Sequence, residues 1–206
     1  MGIIDSHEAL REVVGEAAEL TQKKVIDRID EHARNLIAHS PFVLLATSAP
    51  DGSCDVSPRG DPAGFVRILD DRTLLIPDRP GNRIADSLRN ILANPHVGLL
   101  FVIPGVGDTF RVNGRATITD DAGLLAPSAV EGKPPKLGIV VEVEEAYTQC
   151  SKALIRSDLW NPERHIDRSE LPSSGEILRS LNDPSFDAEQ YDRERAERYA
   201  RGEGLY

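Results

Sequence analysis

Only two cysteines, Cys54 and Cys150, occur in 206 residues, and their spacing matches no metal motif. Two such thiols make neither a disulfide framework nor a zinc site, so both read as reduced. Basic charge is also scarce: 24 Lys+Arg face 34 Asp+Glu, a formal net charge of -10. A surface of that sign repels nucleic acid and anionic membranes, which disfavours polyanion partners. No apolar run approaches the length that crosses a bilayer, and no basic segment followed by an apolar core opens the chain. The expectation is a soluble, cytoplasmic protein with no membrane and no nucleic-acid partner. No Gly-x-Gly-x-x-Gly follows a strand-like run, which argues against a doubly wound dinucleotide fold. His32 and His39 have no third ligand nearby, so no metal site is expected.

What the chain does have is room for a core and a dense series of strand signals. Its length suits one domain with appendages. Residues 8–38 carry Leu10, Val13, Val14, Val25, Ile29, Leu36 and Ile37 near one helical stripe, which predicts a flanking helix broken once near Gln22. The texture changes at Ser40-Pro41. Phe42-Val43-Leu44-Leu45-Ala46-Thr47 is β-prone, Ala49-Pro50-Asp51-Gly52 is a turn, and residues 53–57 form the second arm of a hairpin. Pro58-Arg59-Gly60-Asp61-Pro62-Ala63-Gly64 reads as a loop, too rich in proline and glycine for a strand interior. Two more short strands follow, Phe65-Val66-Arg67-Ile68-Leu69 and residues 73–76.

Between that last strand and an amphipathic helix containing Ile84, Leu88, Ile91 and Leu92 lies Asp78-Arg79-Pro80-Gly81-Asn82-Arg83, the loop around which the chain is organised. Gly81 permits close backbone approach, Asn82 is the expected N-cap, and Arg79 and Arg83 flank the helix start. Backbone N–H groups and two guanidinium forks at one place suit a phosphate monoester, against the plain alternative of an arginine-rich surface turn. Asn94-Pro95 stops the helix. Residues 97–103 and 109–118 are strands, and in the second Phe110, Val112, Ala116 and Ile118 share one face while Thr109, Arg111, Asn113 and Arg115 share the other. A short helix at 120–126 precedes a last strand at 137–143. Six or seven short strands with hairpin-length links predict an antiparallel barrel or sandwich with helices packed outside.

In this order, Ser57-Pro58-Arg59-Gly60-Asp61, Gly81-Asn82-Arg83, Asn94-Pro95-His96-Val97-Gly98-Leu99-Leu100-Phe101 and Arg111-Val112-Asn113-Gly114-Arg115-Ala116 resemble the pyridoxamine 5'-phosphate oxidase-related FMN-binding split-barrel family, over roughly residues 40–145. The resemblance implies a mainly β (α+β) fold, a six-stranded antiparallel split barrel at 40–160. A helical N-terminal segment at 1–39 and a helical C-terminal extension at 161–206 flank it. It implies a homodimer with FMN in a cleft between the subunits. Gly81, Asn82 and Arg83 stand where the family grips the flavin phosphate with a Gly-Ser-Arg-Lys-like segment; Asn82 replaces the hydroxyl residue and Ile84 the lysine. Arg111 falls on the strand with the family's Arg-x-x-Gly signature, and Thr109 stands in place of a ring-contacting glutamine. Arg59 and Arg67 lie where the oxidases carry cations beneath the cofactor.

The implied activity is FMN-dependent oxidation or reduction of a small molecule, in a subgroup distinct from pyridoxamine phosphate oxidase proper. The alternative is a non-enzymatic flavin, deazaflavin or haem binding protein on the same barrel. Hydride transfer requires no acid or base from the protein, and no catalytic residue is assigned. In the C-terminal part, Lys152 and Arg156 are read either as cofactor contacts or as exposed residues of a covering helix. Cys150 and Trp160 are assigned to the substrate side of the cleft, with buried packing the first reading of the Cys150 thiol. Residues 187–201 read as a charged, solvated helix.

Overall fold

The computed structural model describes residues 2–206. Seven strands make one sheet: β1 (Phe42–Ser48), β2 (Cys54–Gly60), β3 (Arg67–Ile68), β4 (Thr73–Asp78), β5 (His96–Val102), β6 (Thr109–Thr119) and β7 (Leu137–Gln149). They are ordered β2-β1-β5-β6-β7-β4-β3, every neighbouring pair antiparallel. This is the expected antiparallel split barrel with flanking helices, with one strand more than the six implied. The extra one is the two-residue β3, which covers only Leu74 and Leu75 of β4.

Register sorts the side chains into two faces, because directly opposed residues share a side. Val43, Leu45, Leu99, Phe101, Phe110, Val112, Leu74, Ile76, Ile139 and Val141 point inward and are buried. Phe101 and Phe110 meet with ring centroids 6.0 Å apart. Ile29, Ala33 and Ile37 join this core from the N-terminal side, and Ile91 joins it from the helix after the arginine loop. On the outer face Phe42, Leu44, Ala46, Val56, Pro58, Leu100 and Val102 form a second apolar surface that the chain does not bury, with Phe42 and Val56 exposed.

The N-terminal segment departs from expectation. Instead of one helix broken near Gln22, there are three short ones: α1 (His7–Val14), α2 (Glu19–Lys23) and α3 (Glu31–His39). Between α2 and α3 the chain is extended, because β4 pairs with β7 only as far as Glu142 and leaves the rest of that edge bare. Ile26 exchanges both backbone hydrogen bonds with Ala146 and fills the gap. Unpaired edge groups thus outweighed helical periodicity. Asp30 then caps α3, its carboxylate accepting from the Ala33 N–H at 2.8 Å.

Two further boundaries moved. The Pro58-Arg59-Gly60 stretch expected in a loop is the end of β2, and proline is tolerated there because β2 is an edge strand. The helix after the arginine loop, α4 (Asp86–Ala93), begins later than expected. Asn82 is not its N-cap; its side-chain oxygen accepts from the Ile84 N–H at 3.0 Å in a local turn. Arg83 and Ala85 adopt left-handed φ values of 63° and 61°, and Ala85 occupies the cap position with no side-chain cap. A left-handed non-glycine residue is strained, so Ala85→Gly is expected to stabilise the fold by about 1 kcal/mol, read as a higher urea midpoint at unchanged m-value.

Beyond β6, α5 (Ala122–Leu125) covers the outer face of β4 and β7, where Leu125 and Leu75 lie against Gly138. After β7 come α6 (Lys152–Ser157), two single-turn helices and the pair α7 (Ser174–Leu181) and α8 (Ala188–Ala200). α8 is solvated along most of its length, as its charge pattern predicts. Gly175 lets α7 approach α8: a Cβ there would stand 2.3 Å from the Ala188 carbonyl oxygen.

Candidate functional site

The ends of β2 and β4 carry a compact set of charges. Arg59 follows Ser57 and Asp55 on the inward row of β2, and Asp78 follows Ile76 on the inward row of β4. No backbone ladder joins these two strands, and the Arg59–Asp78 ion pair bridges the split instead. One residue further along each strand's exit, Arg79 Nε donates to Asp61 at 2.6 Å, a pair in which Asp61 is 1% exposed and Arg79 15%. Arg79 also donates to the Ser128 carbonyl at 2.7 Å. Tyr206 reaches this pair from the far end of the chain. Its hydroxyl donates to Asp61 at 2.8 Å, and its ring lies 5.3 Å from the Arg79 guanidinium carbon.

Arg79 is therefore not the free cation the sequence pattern implies. Two buried side-chain atoms have no partner among the described residues: Nε of Arg59, the partner of Asp78, and the hydroxyl of Ser128, whose carbonyl Arg79 holds. An orphaned donor in a closed site leaves a place for an acceptor. The Tyr206 phenol is held protonated above its ordinary range, first by the bond to Asp61 and then by burial. A raised pKa means the contact is fully formed below the phenol's unfolded value and is lost as alkali removes the proton.

Gly81, Asn82 and Arg83 lie exposed on the loop beside this cluster, and Arg83 has no ion pair among the described residues. Arg67 is elsewhere. It shares the outer face with Leu75 and Val140 and donates to the Leu124 carbonyl at 2.7 Å, so it is on the opposite side of the sheet from Arg59.

A second group stands on the outer face of β6 and β7. Thr109 is buried, and Arg111 is half-buried opposite Tyr147, donating to its hydroxyl at 3.0 Å with the guanidinium 5.6 Å from the ring. Lys24 also lies near that ring, at 5.9 Å, and donates to the Thr148 carbonyl at 2.7 Å. Neither cation has a carboxylate partner among the described residues. Arg59 and Arg111 are separated by three interstrand steps, roughly 14 Å along the sheet, and face opposite ways. One chain does not bring them into a single pocket.

The third group follows β7. Lys152 and Arg156 are exposed on α6 without ion pairs among the described residues. Cys150 is exposed, which corrects its reading as core packing. The reason is that β7 continues six residues past the expected end at Val143, so the chain leaves the sheet at Cys150 and not within the barrel wall. Trp160 donates from Nε1 to the Val106 carbonyl at 2.9 Å and packs on the β5–β6 connection.

Two open clefts lie apart from Arg59 and Arg79. One, of about 730 Å³, opens between Arg72, Thr73, Arg115 and Glu142; the other, of about 330 Å³, is bounded by Lys24, Ile26, His32, Phe110 and Tyr147. Only the second adjoins an expected site, through Tyr147. Sequence reasoning missed Asp61, Ser128, Tyr147, Lys24 and Tyr206. Nothing local in the sequence marks Tyr147 or Tyr206.

The family model of pyridoxamine 5'-phosphate oxidase matches residues 29–150, from the approach to α3 to the end of β7. Among similar solved structures, HupZ of Group A Streptococcus is 21% identical, covers 60% of this chain and 95% of its own, and has a TM-score of 0.47. A putative pyridoxamine 5'-phosphate oxidase from Lactobacillus delbrueckii is 21% identical over 59% of this chain and 95% of its own, with a TM-score of 0.46. An FMN-binding protein from Syntrophomonas wolfei is 16% identical over 68% and 95%, with a TM-score of 0.47. No curated protein matches the chain.

Proposed function

The chain belongs to the pyridoxamine 5'-phosphate oxidase family, and from that premise we propose that it binds FMN and acts as a flavin-dependent oxidoreductase on a small molecule. The observation that carries the reading is the pair of unpartnered buried donors, Arg59 Nε and Ser128 Oγ, beside the loop where the sequence places a phosphate seat. The fit has a condition. Asp61 and Asp78 already neutralise Arg79 and Arg59, so an arriving phosphate draws on those two orphaned donors and on Arg83, whose charge is uncommitted. When bound, the flavin supplies hydride and electron transfer at its ring, and the protein's part is to hold and orient it.

The outer-face residues Thr109 and Arg111, with Tyr147 behind the guanidinium, make a second half-site on the other side of the sheet. The two halves of one cofactor site need not come from one chain. We place them on two subunits of a homodimer, joined through the apolar outer face that holds Phe42, Leu44, Val56 and Leu100. A sheet face of that composition, left bare, is a contact surface awaiting a partner.

The experiment is a visible spectrum of purified protein with and without added FMN, on a sample whose mass is measured by light scattering. The expected result is a yellow, dimeric protein whose bound flavin is bleached by a reduced nicotinamide. A flavin that binds but is not reduced by any donor leaves a binding protein, and uptake of a deazaflavin in preference to FMN reassigns the cofactor. Protein that stays colourless in excess FMN removes the proposal.

A further inference from the structure

Residues 201–206 leave the end of α8 in a series of turns that bring Tyr206 to Asp61 and Arg79. Gly202 and Gly204 turn this stretch with φ values of 67° and 81°. Its contacts with the arginine cluster come from one side chain, Tyr206, through the bond to Asp61 and the ring over Arg79. That side chain is half-buried, and the Asp61 carboxylate it meets is almost fully enclosed. Ser128, whose carbonyl accepts from the same Arg79, is 8% exposed with its hydroxyl unpartnered, and Nε is unpartnered on Arg59, the ion-pair partner of the adjoining Asp78.

We propose that Tyr206, held against Arg79 and Asp61, is the stopper of an oxyanion seat whose free donors are Arg59 Nε and the Ser128 hydroxyl, and that a phosphoryl group and this phenol compete for it. The inference rests on the flavin reading for the identity of the ligand but not for the existence of the seat. A ring whose centroid lies 5.3 Å from the guanidinium carbon crowds Arg79, and a phenol bonded to Asp61 holds that carboxylate against it. With the ring withdrawn, Asp61 loses one of its two donors and the approach to the orphaned groups opens. The contact is suited to exchange: it is a single side chain on a glycine-jointed stretch, tied by one charge-assisted hydrogen bond and one cation–π contact.

The test uses the full chain labelled with 3-fluorotyrosine, with the Tyr206 resonance assigned by its loss in Tyr206→Phe. Titration with FMN and, separately, with inorganic phosphate is followed by the fluorine signal and by flavin fluorescence. The expected result is that either anion moves the Tyr206 resonance to its solvent-exposed position, and that Tyr206→Ala binds FMN about tenfold more tightly, the worth of one hydrogen bond to a charged acceptor. FMN bound with an unmoved Tyr206 signal, or bound more weakly by Tyr206→Ala, overturns the competition while leaving the flavin reading intact. If FMN binds to neither protein, inorganic phosphate decides. Displacement of Tyr206 by phosphate keeps the seat and removes the flavin, and an unmoved signal removes both.

Discussion

Alanine at Gly114 is expected to cost the fold about 3 kcal/mol or more, the largest loss of any single methyl added to the sheet. Gly114 sits at the register shift between β6 and β7, where Asn113 pairs with Glu145 but Gly114 pairs with Val143. The skipped residue is Glu144, so β7 carries a bulge and its backbone swings toward β6. A Cβ on Gly114 would stand 2.0 Å from the Glu142 carbonyl oxygen and 3.0 Å from its carbon. Both are main-chain atoms of a paired strand, and they move only if the ladder opens. Gly81 is the contrast. Its added Cβ would meet nothing within 4 Å and its φ is not in the left-handed region, so Gly81→Ala is expected to change stability by less than about 0.5 kcal/mol. Guanidinium unfolding of the two variants beside the parent checks both. Equal midpoints for Gly114→Ala and the parent would mean that the bulge is not where the structure puts it.

The same bulge explains what the sequence concealed. In β6 apolar and polar residues alternate without interruption, and Phe110, Val112 and Ala116 face inward as that period requires. In β7 the alternation breaks at Glu144-Glu145, two carboxylates in succession, which reads as the end of a strand. A bulge absorbs the extra residue and the strand runs on to Gln149. The first hairpin was legible because Pro50 and Gly52 fix its turn locally. The route of residues 24–30 was not, since it depends on an unpaired edge of β7 more than a hundred residues away. At the candidate site, residue types were legible and their partners were not. Arg59, Arg79 and Arg83 look alike in the chain, yet two are ion-paired near the sheet's split and one is exposed on the adjoining loop. That difference comes from Asp61 and Asp78, which stand inside the stretches 57–61 and 78–83 but whose pairing across the fold no local pattern reveals.

Separating Arg79 from Arg83 is the sharper experiment on the phosphate seat, because the two replacements are expected to fail in different ways. Arg79→Ala removes the partner of an Asp61 carboxylate that is 1% exposed and leaves it only the Tyr206 hydroxyl. Breaking a buried ion pair from one side costs about 3–5 kcal/mol, so this variant loses stability first, and any loss of flavin follows from that. Arg83→Ala touches no ion pair and keeps the same left-handed backbone problem, so its midpoint is expected to stay within about 0.5 kcal/mol of the parent. Its FMN affinity is expected to fall about tenfold or more, the value of a charge-assisted contact to a phosphate oxygen. The double replacement Asp61→Asn with Arg79→Gln removes both buried charges together and is expected to recover most of the stability lost by Arg79→Ala without recovering flavin affinity. Urea unfolding and flavin fluorescence titration on the same four proteins read both quantities. Parent-like flavin binding by Arg83→Ala would take the phosphate away from this loop, and parent-like stability of Arg79→Ala would mean that Asp61 is not enclosed. If both held, Arg111 and Lys24, two cations without carboxylate partners around Tyr147 among the described residues, would be the next place to test for the anion.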